Sequence, residues 1–321
     1  MLADALAGRA ETLLNTGRLA EGAEDGRRSL AMARELGYPA GEGAALKMLA
    51  IAAFNSGDNE RGVQLIRRQQ LIAGVPGSIA RAGSAVMIAA LIESGDLAAA
   101  GTAGAAALAQ CRGAGDLLNL PYMLGVMADL EMRAGHFQDA AAHLRDGLQI
   151  AVRAGDLWDV AANGLFFCAS LCTATGRYAE AATVWAAQDA HARQQGLLAT
   201  SPGARMREEA LRTIRQVLGP ARVRAAEQRG AAMSLDTAAE YALLLTAPAP
   251  PPAPPAGSAK LSGREQELVR LVAAGRTDAQ IAAQLYISIR TVRSHLDRIR
   301  DKTGCRRRAD LTRLALTEGL V

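Results

Sequence analysis

The chain is expected to be all-α, a stack of helix pairs followed by a smaller helical domain, and three observations point there. Half of its 321 residues are apolar yet only 3% are aromatic, a balance that favours close-packed helices over sheets rich in β-branched and aromatic side chains. A small-residue–glycine pentad recurs about every 40 residues. Beyond it, a proline tract separates this repetitive body from a basic end dense in helix-capping signals.

The pentads are TGRLA, SGDNE, SGDLA, AGHFQ and TGRYA, with glycines at 17, 57, 95, 135 and 176 and spacings of 40, 38, 40 and 41. A second glycine (37, 74, 115, 155, 196) follows each first one after 17 to 20 residues, so each period holds two helices. The first glycine is expected to end one helix in a left-handed C-cap. Five residues later Gly22, Gly62, Ala100, Ala140 or Ala181 lets the next helix approach its partner closely. Leu19, Leu97, Phe137 and Tyr178 are placed to plug the groove between the pair. This arrangement resembles the tetratricopeptide repeat, although that family's period is about 34. HEAT-like helix pairs fit the longer period as well, and both imply an α-solenoid over residues 1–200. Residues 201–246 keep helical spacing without the period and are expected to cap the array. Trp158, Trp185 and the methionines are read as core.

Residues 247–258 contain six prolines, at 248, 250, 251, 252, 254 and 255. Proline lacks the donor that helices and ladders need, so this is expected to be an extended linker of roughly 30 Å. From Lys260 onward 13 Lys or Arg face 7 Asp or Glu, a net of +6, whereas the residues before it carry 23 against 25, a net of −2. A basic end on a nearly neutral body suggests that the end alone meets a polyanion.

Several classes find no support. Cysteines 111, 168, 172 and 305 show no Cys-x-x-Cys spacing and read as reduced thiols. HFQDAAAH (136–143) is not the His-Glu-x-x-His of a zinc protease, and no nucleophile elbow or paired catalytic carboxylates appear. No enzyme activity, metal or cofactor is therefore expected. No uninterrupted apolar run of about 20 residues and no signal pattern stand out, so a cytoplasmic protein without membrane contact is expected.

The basic end, 259–321, carries the clearest pattern. Ser262 with Glu265 and Thr277 with Gln280 fit the capping box, Ser288 is a lone N-cap, and Gly275 and Gly304 stand where helices should stop. A short helix over 277–285, a tight turn through Tyr286 and Ile287, and a longer helix over 289–302 follow. Ile281, Leu285 and Ile287 can face Val292, Leu296 and Ile299, with Ala282 leaving room for a close crossing: a helix-turn-helix. The outward side of the longer helix then carries Arg290, Ser294, Asp297, Arg298 and Asp301, with Arg293 on its flank. Those side chains reach base edges if the helix enters the major groove of duplex DNA.

The segment LSGREQELVRLVAAGRTDAQIAAQLYISIRTVRSHLDRIRDKTGCRRRADLTRLA resembles the LuxR-type helix-turn-helix domain. That family's pattern runs Leu-[Ser/Thr]-x-Arg-Glu, Gly-x-[Ser/Thr]-Asn-x-x-Ile-Ala, Leu-x-Ile-Ser-x-x-Thr-Val-x-x-His and Lys-x-Gly. The resemblance implies a four-helix domain in which Arg293 and Ser294 read bases. It implies phosphate contacts from Thr277, Ser288, Thr291, His295 and Lys302, and a homodimer on DNA through a last helix over 307–318, with Leu311, Leu314 and Ala315 at the contact. Three positions depart from the pattern. Asp297 stands where many relatives have Lys or Arg, and either accepts from a cytosine amine or pairs with Arg293 or Arg300. Asp278 replaces the usual asparagine, and Cys305 a usual valine.

A helical-repeat body before such a domain is similar to the C-terminal part of the large ATP-binding, MalT-like regulators of the LuxR family. Their N-terminal NTPase module has no counterpart here, since no Gly-x-x-x-x-Gly-Lys-[Ser/Thr] loop occurs. The chain is expected to be either a short relative or the C-terminal part of a longer one. The function expected is a sequence-specific transcriptional regulator whose repeats sense a peptide, a protein or a small molecule. The alternative is a repeat scaffold with an accessory basic domain.

Overall fold

The structure, a computed structural model, describes residues 2–194, 201–247 and 261–321. The proline-rich linker lies outside them except for residue 247, as does the second glycine of the fifth period, Gly196. No β-strand occurs among the described residues, and the all-α expectation holds.

Helix pairs follow the glycine period: α1 (Leu2–Asn15) with α2 (Leu19–Glu35), α3 (Pro39–Asn55) with α4 (Asn59–Gln70), α5 (Gly77–Glu93) with α6 (Leu97–Gly113), and α7 (Leu120–Ala134) with α8 (Phe137–Ala154). The pentad glycines 17, 57, 95, 135 and 176 adopt φ of 77°, 85°, 84°, 81° and 73°. At each of these turns the N–H after the glycine returns to a carbonyl five residues back, from Arg18 to Leu13 at 2.8 Å through Arg177 to Cys172 at 2.8 Å. This satisfies one of the helix's orphan carbonyls and reverses the chain in the same way each time. Close approach then depends on size. A Cβ on Gly22 would lie 2.8 Å from Leu14 Cγ, and Ala100, Ala140 and Ala181 are fully buried. The groove plugs are less covered than expected: Leu19, Leu97 and Tyr178 are half-buried and Phe137 is 37% exposed. Each is the first residue of its helix, just after the turn that joins the pair, with no preceding turn of its own helix to enclose it.

The first helices of successive pairs stack on one another, α1 on α3, α3 on α5 and α5 on α7. Arg9 grips the buried Asp25 through two hydrogen bonds of 2.5 and 2.6 Å, and Arg81 reaches Asp116 at 2.6 Å.

The described chain divides into two compact units, residues 1–159 with 192–210, and residues 160–191 with 211–321. The boundary falls inside a broken helix made of α9 (Leu157–Asp159), a π turn (Val160–Gly164) and α10 (Leu165–Ala174). By length and composition Leu157–Ala174 is the one described stretch able to cross a membrane, but half of it is buried within the fold. Trp158, expected in the core, is 43% exposed, because it opens that short helix just beyond the Gly155 turn.

Then follow α11 (Tyr178–Gln194), α12 (Ser201–Leu218), α13 (Pro220–Ala231) and α14 (Leu235–Leu245), the second unit holding α13, α14, most of α11 and the latter part of α12. Trp185 and Tyr241 are almost wholly enclosed, with Phe166 edge-on to Trp185 at 5.2 Å. Cys168 and Cys172 are fully buried; the hydrogen bond that the Cys168 thiol makes to Cys172 and desolvation push that thiol up, as suits an inert core thiol. The last four helices are α15 (Gly263–Ala273), α16 (Asp278–Leu285), α17 (Ile289–Thr303) and α18 (Arg308–Thr317), within one or two residues of the sequence-based bounds. They share one apolar cluster that includes Leu268, Val272, Ile281, Leu285, Val292, Leu296, Ile299, Leu311 and Ala315. α14 also packs against α18, and Gly275 sits where a Cβ would be 2.9 Å from the Ala232 carbonyl.

Gly230 in α13 lies against α11, where an added Cβ would fall 2.0 Å from the Thr183 carbonyl oxygen and 2.9 Å from the Ala187 nitrogen. Backbone cannot yield as a side chain can, so Gly230→Ala is expected to cost about 3 kcal/mol. Gly8, with nothing within 4 Å of the built Cβ, is the contrasting helix-interior case. Gly8→Ala should stabilise by about 0.5 to 1 kcal/mol, and denaturant melts of both variants check the pair.

Candidate nucleic-acid interface

Local capping signals place the site. Ser262 Oγ accepts from Glu265 N at 3.3 Å while Glu265 Oε2 accepts from Ser262 N at 2.8 Å, starting α15. Thr277 and Gln280 make the same reciprocal pair at 3.2 and 3.0 Å, starting α16. Ser288 Oγ accepts from Thr291 N at 3.1 Å and starts α17. Between them Tyr286 takes a left-handed conformation, φ 55°, that lets Ile287 N reach the Ala282 carbonyl at 3.0 Å. Tyr286 is itself 95% exposed.

The two faces of α17 separate as the helical period demands. Val292, Leu296 and Ile299 are buried against Ile281, Ala282 and Leu285. Arg290, Arg293, Ser294, Asp297 and Arg298 are all exposed. Arg300 donates to Asp297 at 2.8 Å, which settles the partner of Asp297 within the chain. Arg298 reaches Ser294 Oγ at 3.4 Å, and Arg293 Nε lies 3.4 Å from Asp278 Oδ2. Of the residues expected at phosphates, Thr277 and Ser288 are exposed at helix N-termini, where backbone N–H groups favour anions, and Thr291 and His295 are half-buried beside them. Lys302 instead donates to both carboxylate oxygens of Glu265, at 2.7 and 2.9 Å. Leu311 and Ala315, expected at a dimer contact, are fully buried in the domain's own core, and Leu314 is half-buried.

Sequence reasoning missed three participants. Glu265 joins α15 to the end of α17 through Lys302, and Asp278 joins α16 to α18 through Arg308 NH1 at 2.7 Å. Arg308 also donates to the Arg276 carbonyl. These partners lie 37, 30 and 32 residues apart, so no local spacing reveals them. Elsewhere, Glu131, His136 and Asp139 come close enough to share a cation. Two of the three are exposed and His136 Nδ1 already meets Glu131 at 2.8 Å, as ordinary surface groups do.

A basic helix-turn-helix with its second helix bared on one side defines a domain of the nucleic-acid-reading class. Residues 259–315 match the family described as bacterial regulatory proteins, luxR family, and the chain carries a luxR-family helix-turn-helix domain at its C-terminal end. The same region is 44% identical over 57 residues to the response regulator Rre1 of Synechocystis sp. and 45% identical over 58 residues to a probable transcriptional regulator, ycf29, of Cyanophora paradoxa. Each match covers 18% of this chain and 25% or 28% of the relative, so the likeness is confined to the domain. No solved structure matches the chain.

The Lys302 ammonium and the Ser262 N–H hold the Glu265 carboxyl far below its ordinary 4.5, at about 2. A depressed carboxylate stabilises the fold above its ordinary value, and that contribution disappears as pH falls through the folded one. Thermal melts should therefore show the midpoint dropping between about pH 4.5 and about pH 2. Glu265→Gln should flatten this part of the profile, and Glu265→Ala should cost about 2 to 3 kcal/mol at neutral pH by removing cap and ion pair together.

Proposed function

We propose that the chain is a sequence-specific transcriptional regulator in which α17 enters the major groove of duplex DNA and the helical repeats take an effector, whether peptide, protein or small molecule. The carrying observation is the division of α17: one side is the domain's core, and the other presents Arg290, Arg293, Ser294, Asp297 and Arg298 to solvent. Arg293 and Ser294 read base edges, Asp297 offers an acceptor to a cytosine amine when Arg300 releases it, and Thr277, Ser288, Thr291 and His295 position the phosphates. Lys302 contributes field rather than a direct phosphate bond while Glu265 holds it. Such a protein works in the cytoplasm, where the DNA is.

A homodimer on DNA, reading two half-sites, is part of the proposal. With Leu311 and Ala315 enclosed by the domain and one face of α18 packed against α14, contact through α18 falls to Leu314. No phosphate-cradling loop supports ATP dependence.

Affinity for duplex DNA should fall steeply between 50 and 200 mM salt, as counterion release requires. Arg293→Ala should weaken specific binding by about 1 to 3 kcal/mol with the fold intact by circular dichroism. The 321-residue chain binding no duplex at low salt would overturn the proposal in favour of a repeat scaffold. Selection of bound sequences from a random pool, with and without residues 1–247, reports the operator and whether the repeats restrain the domain.

A further inference from the structure

We propose that Asp278 is a positioning residue that commits Arg293 to guanine. This rests on the assignment of Arg293 to base contact. Asp278 is the first residue of α16, at the place where the resembled family usually has asparagine, and its carboxylate is shared between two arginines. One oxygen accepts from Arg308 NH1 at 2.7 Å, and Arg308 is in turn tied to the Arg276 carbonyl. The other oxygen lies 3.4 Å from Arg293 Nε. The carboxylate is thus anchored on its inner side and available on its outer one: the Asp278 side chain is 27% exposed and that of Arg293 71%.

Which nitrogen is engaged decides the consequence. Asp278 meets Arg293 at Nε, and the two terminal nitrogens of a guanidinium so engaged remain as a planar fork for a second partner. A fork held from behind matches the O6 and N7 acceptors of guanine in the major groove, and its rotamer freedom is already reduced before DNA arrives. At 3.4 Å the attraction is mainly between charges, long enough for the fork to adjust to the groove. An unbraced arginine on the same helix would exchange between base edges and neighbouring phosphates, which carry no sequence information. Asparagine at 278 keeps the shape but removes the charge that holds two cations. Arg298 differs in this respect, since its contact is the neutral hydroxyl of Ser294.

The test uses the full chain and the best duplex from the random-pool selection, with every base pair of the site replaced in turn. Arg293→Ala first identifies the position it reads, by flattening the preference there. At that position Asp278→Ala is expected to reduce the preference for guanine about fivefold to tenfold, a part of what a bidentate arginine–guanine pair supplies, and Asp278→Asn to reduce it less. Affinity for a scrambled duplex should stay the same or rise, because a negative charge near phosphates has gone. In the Arg293→Ala background neither change should alter the base profile further. Melting curves confirm that each variant is folded at the assay temperature, since Asp278 also steadies α18 through Arg308. Three results overturn the proposal: an Arg293-dependent position that prefers another base, an unchanged profile in Asp278→Ala, or a uniform loss over all positions as from a merely structural role. An Arg293→Ala profile identical to that of the unaltered chain overturns instead the assignment of Arg293 on which the proposal rests.

Discussion

The burial of Val292, Leu296 and Ile299 against Ile281 and Leu285 is the contact on which the C-terminal domain depends. These side chains recur at three- and four-residue intervals, so only one stripe of α17 can face inward, and everything 180° from it must meet solvent. Ala282 lets α16 lie close to the stripe, and α15 covers it from the other side. The set of bared side chains is therefore a by-product of packing geometry. The core selects which arginines are exposed, and a helix rotated by one residue would expose a different set.

A small apolar core leaves the helix ends to be held by polar contacts. Glu265 combines a cap on α15 with the ion pair to Lys302 at the end of α17, so one nearly buried carboxylate ties the first helix to the third. Asp278 does the same between α16 and α18 through Arg308. In the repeat body the division of labour is similar: small residues set the helix spacing, Arg9–Asp25 ties α1 to α2, and Arg81–Asp116 ties α5 to the connection between α6 and α7.

Much of the candidate site was legible because its signals are local. The capping pairs Ser262/Glu265 and Thr277/Gln280 act over three residues, and both form as written in the chain. The left-handed glycines of the repeat are legible for the same reason: φ near +80° is open to glycine at little cost and closed to most others. Long-range choices were not legible. Lys302, which the family resemblance assigns to a phosphate, finds Glu265 within the chain, and Asp297 had two arginines within reach and takes Arg300. Trp158 has the composition of a core residue, and its place at the opening of a broken helix leaves it half outside.

By itself, then, the sequence determined the helical class, the forty-residue period, the crossing of α16 with α17 and the outward set of residues on α17. Each follows from backbone propensity, capping or a periodicity measured over a few turns. Only the tertiary structure decided that residues 160–191 belong to the same compact unit as the C-terminal domain, that α14 lies against α18, and that Asp278 stands between Arg293 and Arg308. Those contacts join residues far apart along the chain. Their free energies depend on the exact distance and exposure of a few charged atoms, and a linear pattern of residue types does not encode such distances.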